Sequence, residues 1–148
     1  MNADAETMRY FEKLLSAEES QAMMERMHKM YEYRGYCYFA VELLKTGEFD
    51  WMIGMGYKTF EADFTPCVDI GWRLDKRFWN QGYASEGAKR CLVFGSEISE
   101  VLSLASIRNH ASVQVMKKIR MSYWKDFQQR DLTYKPDIST LHLYWISL

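Results

Sequence analysis

The chain lacks the marks of a membrane, metal or disulfide protein. No apolar run approaches the roughly 20 residues that span a bilayer. Its opening, "MNADAETMRYFEKLL", is acidic and mixed, unlike a signal peptide. The cysteines Cys37, Cys67 and Cys91 are odd in number, far apart and never in a CxxC pair. That pattern predicts free, buried thiols in a reducing cytoplasm. His28, His110 and His142 have no metal-ligand spacing, so no zinc site is expected. Neither sign of charge dominates: 19 Lys and Arg oppose 20 Asp and Glu, for a net −1. Nucleic acid and an anionic membrane are therefore poor bulk electrostatic partners. Neither GxxxxGKS, GxxxxGKT nor GxGxxG occurs, which excludes a nucleotide P-loop. With no repeat, low-complexity stretch or linker, the 148 residues read as one domain, 1–148.

What is present is a core-forming chain. Hydrophobic residues make up 48% and aromatics 16%, enough to bury a sizeable interior. Residues 17–34 read as a helix, with Ser16 as its cap, Glu18 and Glu19 at the positive end of its dipole and Gly35 as its stop. Met23, Met27, Met30 and Tyr31 fall near one face of it. Core packing is the expected role of that stripe, and a flexible substrate-facing surface is the alternative. "YCYFAVELL" (36–44) and "WMIGMGYKTF" (51–60) read as the arms of a hairpin across the polar turn "KTGEFD". Gly54 and Gly56 predict a bulge or a close backbone approach. "VDIGWRL" (68–74) alternates, with Val68, Ile70, Trp72 and Leu74 on one face and Asp69, Gly71 and Arg73 on the other. A helix over about 84–96, a strand over 100–107 and a helix over 109–119 capped by Asn109 follow. Strands over 121–128 and 140–148, joined antiparallel through a long polar loop, complete the chain. The sum is a mixed α/β (α+β) fold, a central sheet with helices packed on it.

The stretch "FWNQGYASEGAKR" (78–90) joins the third strand to the second helix. A helix N-terminus presents backbone N–H groups and partial positive charge, a natural seat for phosphate oxygens. Gly82 has no Cβ to block a ligand, and Ala84 keeps the first turn thin. A plain strand–helix connection with a glycine in its turn is the other reading.

The order "DIGWRLDKRFWNQGYASEGAKRCLVFGSE … LASIRNHASVQVMKKIRM" resembles the GNAT superfamily of N-acetyltransferases. It looks most like the branch that acetylates the α-amino groups of ribosomal proteins. The matching pieces are "IGWRL", "FWNQGYASEG", Asn109 followed by "SVQVMKKI", and a late "HLYWI", in family order over most of residues 8–148. The resemblance implies a mostly antiparallel GNAT-like sheet and acetyl-CoA as cofactor. Its pyrophosphate would lie on the amides of Gln81, Gly82, Tyr83, Ala84 and Ser85, within the loop Trp79–Ser85 that also holds Asn80. The pantetheine arm would pair like an extra strand with Trp72, Arg73 and Leu74. Asn109 would meet the pantetheine, and Lys117 or Lys118 could reach phosphates, though a solvated helix face is the simpler role for both.

The acceptor implied is a primary amine, on a small molecule or a peptide, and the location cytoplasmic. Asp69 is the candidate general base, acting through a water; pairing with a neighbouring cation is its structural alternative. Glu42, Glu61 and Asp63 are weaker candidates. Many superfamily members carry an acidic tyrosine where this chain has Met116, so Ser112, one turn earlier, is the candidate partner of the leaving thiolate; capping is its alternative. Tyr144 is a further possibility, with a core position as its simpler role. Trp79, three residues before the glycine, matches the ribosomal-protein branch, where most of the superfamily has Gln or Arg. Arg120 stands where the family commonly has glycine, which predicts strain or a changed loop. The family's first strand has no counterpart, so the sheet is expected to begin with an exposed edge at "YCYFAVELL" and to invite a homodimer. A CoA-binding module without turnover is the alternative function. Residues 17–35, 61–66 and 129–139 would wall the acceptor site.

Overall fold

The structure, a computed structural model, describes residues 1–129 and 136–148. Helix α1 (Ala17–Arg34) begins at a reciprocal capping box. The Ser16 hydroxyl accepts from the Glu19 N–H, and the Glu19 carboxylate accepts from the Ser16 N–H. It ends at Gly35, whose φ of 77° favours a residue without a Cβ. Strands β1 (Tyr38–Glu42) and β2 (Phe49–Lys58) form the expected antiparallel hairpin. Then come β3 (Cys67–Leu74), a single 3-10 turn (Lys76–Phe78), α2 (Tyr83–Phe94), β4 (Glu100–Ser106), α3 (His110–Lys118), β5 (Ser122–Gln128), α4 (Pro136–Ser139) and β6 (Thr140–Ser147).

The six strands make one sheet in the order β1-β2-β3-β4-β6-β5, antiparallel except between β3 and β4. This is the mixed, mostly antiparallel GNAT-like sheet expected. Helices α2 and α3 cover one face, where Met55, Ile70, Ala88, Val101 and Met116 form the largest buried cluster. The expected edge is present: among the described residues β1 is outermost and pairs with β2 alone. It is shorter than the run 36–44, because Leu43 and Leu44 belong to the turn, where the Leu43 N–H donates to the Glu48 C=O.

Two expectations are corrected. The methionine stripe is not core: no residue of α1 is buried, and Met23, Met27 and Met30 are half-buried. The helix touches the sheet through aromatic contacts, Tyr31 edge-on to Phe39 and the Arg34 guanidinium 3.5 Å above the Tyr57 ring, rather than by inserting its methionines. Of the three free cysteines only Cys37 is buried. The glycines of β2 mark a close approach rather than a bulge, which lies instead between Val41 and Glu42 of β1. A Cβ on Gly54 would stand 2.0 Å from the Cys37 carbonyl oxygen.

Candidate functional site

The parallel strands β3 and β4 share one register pair, Asp69 opposite Leu102. The next link is made by a side chain: the buried Ser103 hydroxyl donates to the Ile70 carbonyl at 2.9 Å. From Gly71 to Leu74, β3 is paired with β2, opposite Gly54, Ile53, Met52 and Trp51, and no register pair joins it to β4. The two strands therefore part at Asp69 and leave main-chain groups of β3 facing a gap. Trp72 leans across the α2/α3 side of that gap, its indole N–H donating to the Ser112 hydroxyl at 3.2 Å.

At the far end of β3 the chain is tightly bound to itself. The buried Asp75 carboxylate accepts from the Arg77 N–H and Nε, and the Trp79 indole N–H donates to the Leu74 carbonyl at 2.9 Å. The Gln81 amide donates to the Arg77 carbonyl. Asn80 and Gly82 both have positive φ, 59° and 89°. Asparagine tolerates that region, and glycine enters it without cost. Gly82 heads α2 with no side-chain cap, and Glu86 donates the first bond back to the Gly82 carbonyl. The amides of the first turn thus point out of the helix end. A Cβ added at Gly82 would meet nothing within 4 Å, so the space above this turn is open. The groove there, about 470 Å³, is lined by Gly82, Ser85, Glu86, Lys89 and Arg90. An uncapped, open helix start beside parted strands fits a phosphate-bearing cofactor with a long thin arm.

Asp69 sits at the point of divergence, on the face away from α2 and α3, and is 9% exposed. Tyr38 from β1 donates its phenol O–H to Asp69 Oδ1, and Lys58 Nζ lies 3.6 Å from Oδ2. Burial pushes the Asp69 carboxyl above the usual aspartate range, against the opposing pull of Lys58, the Tyr38 phenol and the Gly56 amide. Burial also lifts the Tyr38 phenol well above its ordinary value, with Asp69 adding to it. The Cys67 thiol, nearby on β3, is pushed up to about 11 by burial and by Asp69. Arg73, two residues further along this face than Gly71, donates to the Asn2 side chain at 2.9 Å and lies 3.9 Å over the Phe11 ring. Its buried Nε has no acceptor among the described residues, and burial lowers its guanidinium to about 10.

The remaining candidates divide. Asn109 caps α3 by accepting from the Ser112 N–H, so both lie at the helix end that faces Trp72. Ser112 Oγ accepts from Trp72 and keeps its own hydrogen to donate. Lys117 and Lys118 occupy the opposite end of α3, both exposed. Met116 is wholly buried and Tyr144 is in the core. Glu42 is exposed at the end of β1, and Asp63 pairs with Lys125. Glu61 lines a groove of about 500 Å³ with Tyr57, Phe60 and Thr65. Of the loop 129–139, residues 130–135 lie outside the described residues. Tyr38 and the basic pair Lys89 and Arg90 were missed. The pair stands two turns beyond Gly82, a spacing that could have flagged it. Among the described residues no cluster could hold a metal ion, and no helix is long and apolar enough to cross a membrane.

Three relatives set this geometry in context. A Bacillus subtilis (strain 168) protein, the uncharacterized YkkB, is 26% identical over 129 residues, 85% of this chain and 74% of its own length. A GNAT-family acetyltransferase from Bacillus anthracis superposes with a TM-score of 0.78 at 20% identity, covering 99% of this chain and 84% of that one. A ribosomal L7/L12 α-N-protein acetyltransferase, solved in complex with coenzyme A, reaches 0.68 at 17% identity over 91% of this chain and 75% of that one. These two likenesses show the fold. Residues 1–122 match the family model for the acetyltransferase (GNAT) domain, and the chain thus belongs to the GNAT family as an acetyl-CoA-dependent N-acetyltransferase.

Proposed function

We propose that this one-domain enzyme acetylates primary amines in the cytoplasm, with the α-amine of a peptide or protein N-terminus as its acceptor class. The observation that carries the reading is the parting of β3 from β4 at Asp69, with the open, uncapped start of α2 beyond it. In this reading the amides of Gln81, Gly82, Tyr83, Ala84 and Ser85 cradle the pyrophosphate, and Lys89 and Arg90 add positive charge to the same groove. Main-chain groups of β3 hold the pantetheine in strand-like pairing. Because the Leu74 carbonyl already accepts from Trp79, the weight of that pairing falls on Trp72 and Arg73. Asn109 flanks the arm from the other side of the gap.

Acetyl-CoA supplies the activated thioester; the protein's own groups do the rest. An α-amine has a pKa near 7.7–8.0, so an appreciable fraction is neutral at pH 7. Alignment of two reactants supplies roughly 7–11 kcal/mol, and a base adds about 10²–10⁴-fold. Asp69 takes the proton released by the amine, through a water, and the Ser112 hydroxyl donates to the departing sulfur. The half-buried methionines of α1 and the Glu61 groove suit an adaptable wall for the acceptor. The free cysteines fit a reducing compartment.

The test is mass spectrometry of N-terminal peptides, amino sugars and polyamines incubated with acetyl-CoA. Acetylation on the peptide α-amine is expected; product on polyamines alone would overturn the acceptor class. By calorimetry Gly82→Asp should weaken acetyl-CoA binding at least 100-fold, since it sets an anion at the phosphate seat on a backbone that favours glycine. Unaltered binding removes the cradle. We further propose that two copies associate through the free edge of β1, beside which Tyr31, Phe39 and Phe94 form an aromatic cluster. Light scattering showing only monomer across a wide concentration range would dismiss it.

A further inference from the structure

We propose that Tyr38 is a positioning residue for the acetyl transfer, holding the Asp69 carboxylate at the point where β3 and β4 part. The inference rests on the assignment of Asp69 as base and adds a residue 31 positions away from it in the chain. The β1–β2–β3 register sets Tyr38, Gly54 and Gly71 side by side across three strands. Tyr38 lies along this row rather than standing up from it. A Cβ at Gly71 would come within 3.1 Å of Tyr38 Cε1, and one at Gly56 within 2.7 Å of Cε2 and 3.0 Å of Asp69 Oδ1. Two glycines on neighbouring strands thus form a slot into which the ring fits. The slot delivers the phenol O–H to Asp69 Oδ1.

The other oxygen of Asp69 is turned toward Lys58, whose ammonium also lies 5.1 Å from the Tyr38 ring centroid. The carboxylate is therefore held from two sides, by a neutral donor on β1 and a cation on β2. The charged or titratable groups that act on this pair are Lys58 on β2 and Cys67 and Arg73 on β3. A neutral donor fixes orientation and lowers the carboxylate's basicity less than a second close cation would. A hydrogen bond to a charged group is strong enough to choose one rotamer of an aspartate. Tyr38 does not reach the substrate in this reading; it acts through Asp69.

The experiment uses Tyr38→Phe, which keeps the ring in its slot and removes only the hydroxyl. Losing a donor to the carboxylate destabilises the charged form, so the Asp69 midpoint must rise. A ¹³C titration of the side-chain carboxyls, with Asp69 assigned by its loss in Asp69→Asn, should show an upward shift of roughly one to two pH units. The acid limb of kcat/KM should move the same way, with acetyl-CoA affinity unchanged. Gly71→Ala, which retains the hydroxyl but crowds the ring, should give a smaller shift of the same sign. Full activity in Asp69→Asn would overturn the base assignment and this inference together. An inactive Asp69→Asn with an unmoved midpoint in Tyr38→Phe would overturn the positioning role alone.

Discussion

On the face covered by α2 and α3, Ile53, Met55, Ile70, Val101 and Met116 are each at most 1% exposed. Directly behind them, through the thickness of the same strands, lie Tyr38, Lys58, Asp69 and Arg73, tied by hydrogen bonds and ion pairs. The alternation of β2 and β3 makes the difference: Met55 and Ile70 point one way, Gly54, Gly56, Asp69, Gly71 and Arg73 the other. One face is held by close packing. The other is held by polar partners and by the absence of side chains at three glycines. A stable interior needs tight volume matching, whereas a reactive surface needs placed charges and room above them.

Substitutions can break this comparison, and their expected costs differ widely. Gly54→Ala should have the largest effect, because its Cβ would collide with backbone, the Cys37 carbonyl at 2.0 Å and the Tyr38 Cα at 2.6 Å. A loss of about 3 kcal/mol is expected by urea unfolding, with β1 pulled from the sheet. Gly87→Ala is its control. The clash there is with the end of the Ile53 side chain at 2.5 Å, which can rotate, and a helical alanine regains about 1 kcal/mol. Near-neutral stability is expected; a cost equal to that of Gly54→Ala would mean that rigidity is shared by both faces. Next, Met116→Ala should cost about 2 kcal/mol and Met27→Ala less than about 1 kcal/mol, measured by the same denaturation. Equal losses would place α1 in the core after all.

A small gain rather than a loss is expected at Arg120, which follows α3 with a φ of 67°. The Met121 N–H reaches back to the Met116 carbonyl there, closing the helix as a glycine normally would. Arg120→Gly should raise stability by about 1 kcal/mol, seen as a higher thermal midpoint. No gain would mean that the arginine side chain repays the strain.

Much of this was legible in the chain itself. The cap at Ser16, the stop at Gly35, the hairpin turn and, to within a residue, the start of α2 are local, and local rules sufficed. Arg120 was marked only through the resemblance, as an arginine where the family commonly has glycine. The methionine stripe misled because period alone says which face is apolar, not whether anything covers it; α1 meets the sheet through Tyr31 and Arg34 instead. The Tyr38–Asp69 contact was hidden because it depends on the register of three strands. Its trace was present as Gly56 and Gly71, which read singly as backbone features and together as a bed for a ring. The pairing of Trp72 with Ser112 was equally invisible, since no local pattern says that a strand indole will lean onto a helix.

The Ser103 hydroxyl, bonded to the Ile70 carbonyl just past the last register pair, works as the stop at the end of a zip. A side chain there claims the acceptor that a continuing ladder would use, so the seam neither closes further nor runs back. On the proposed reading, the slot is cut before the cofactor's arm arrives. A guest threading it is spared the unpicking of main-chain bonds, and its grip is set by what it adds.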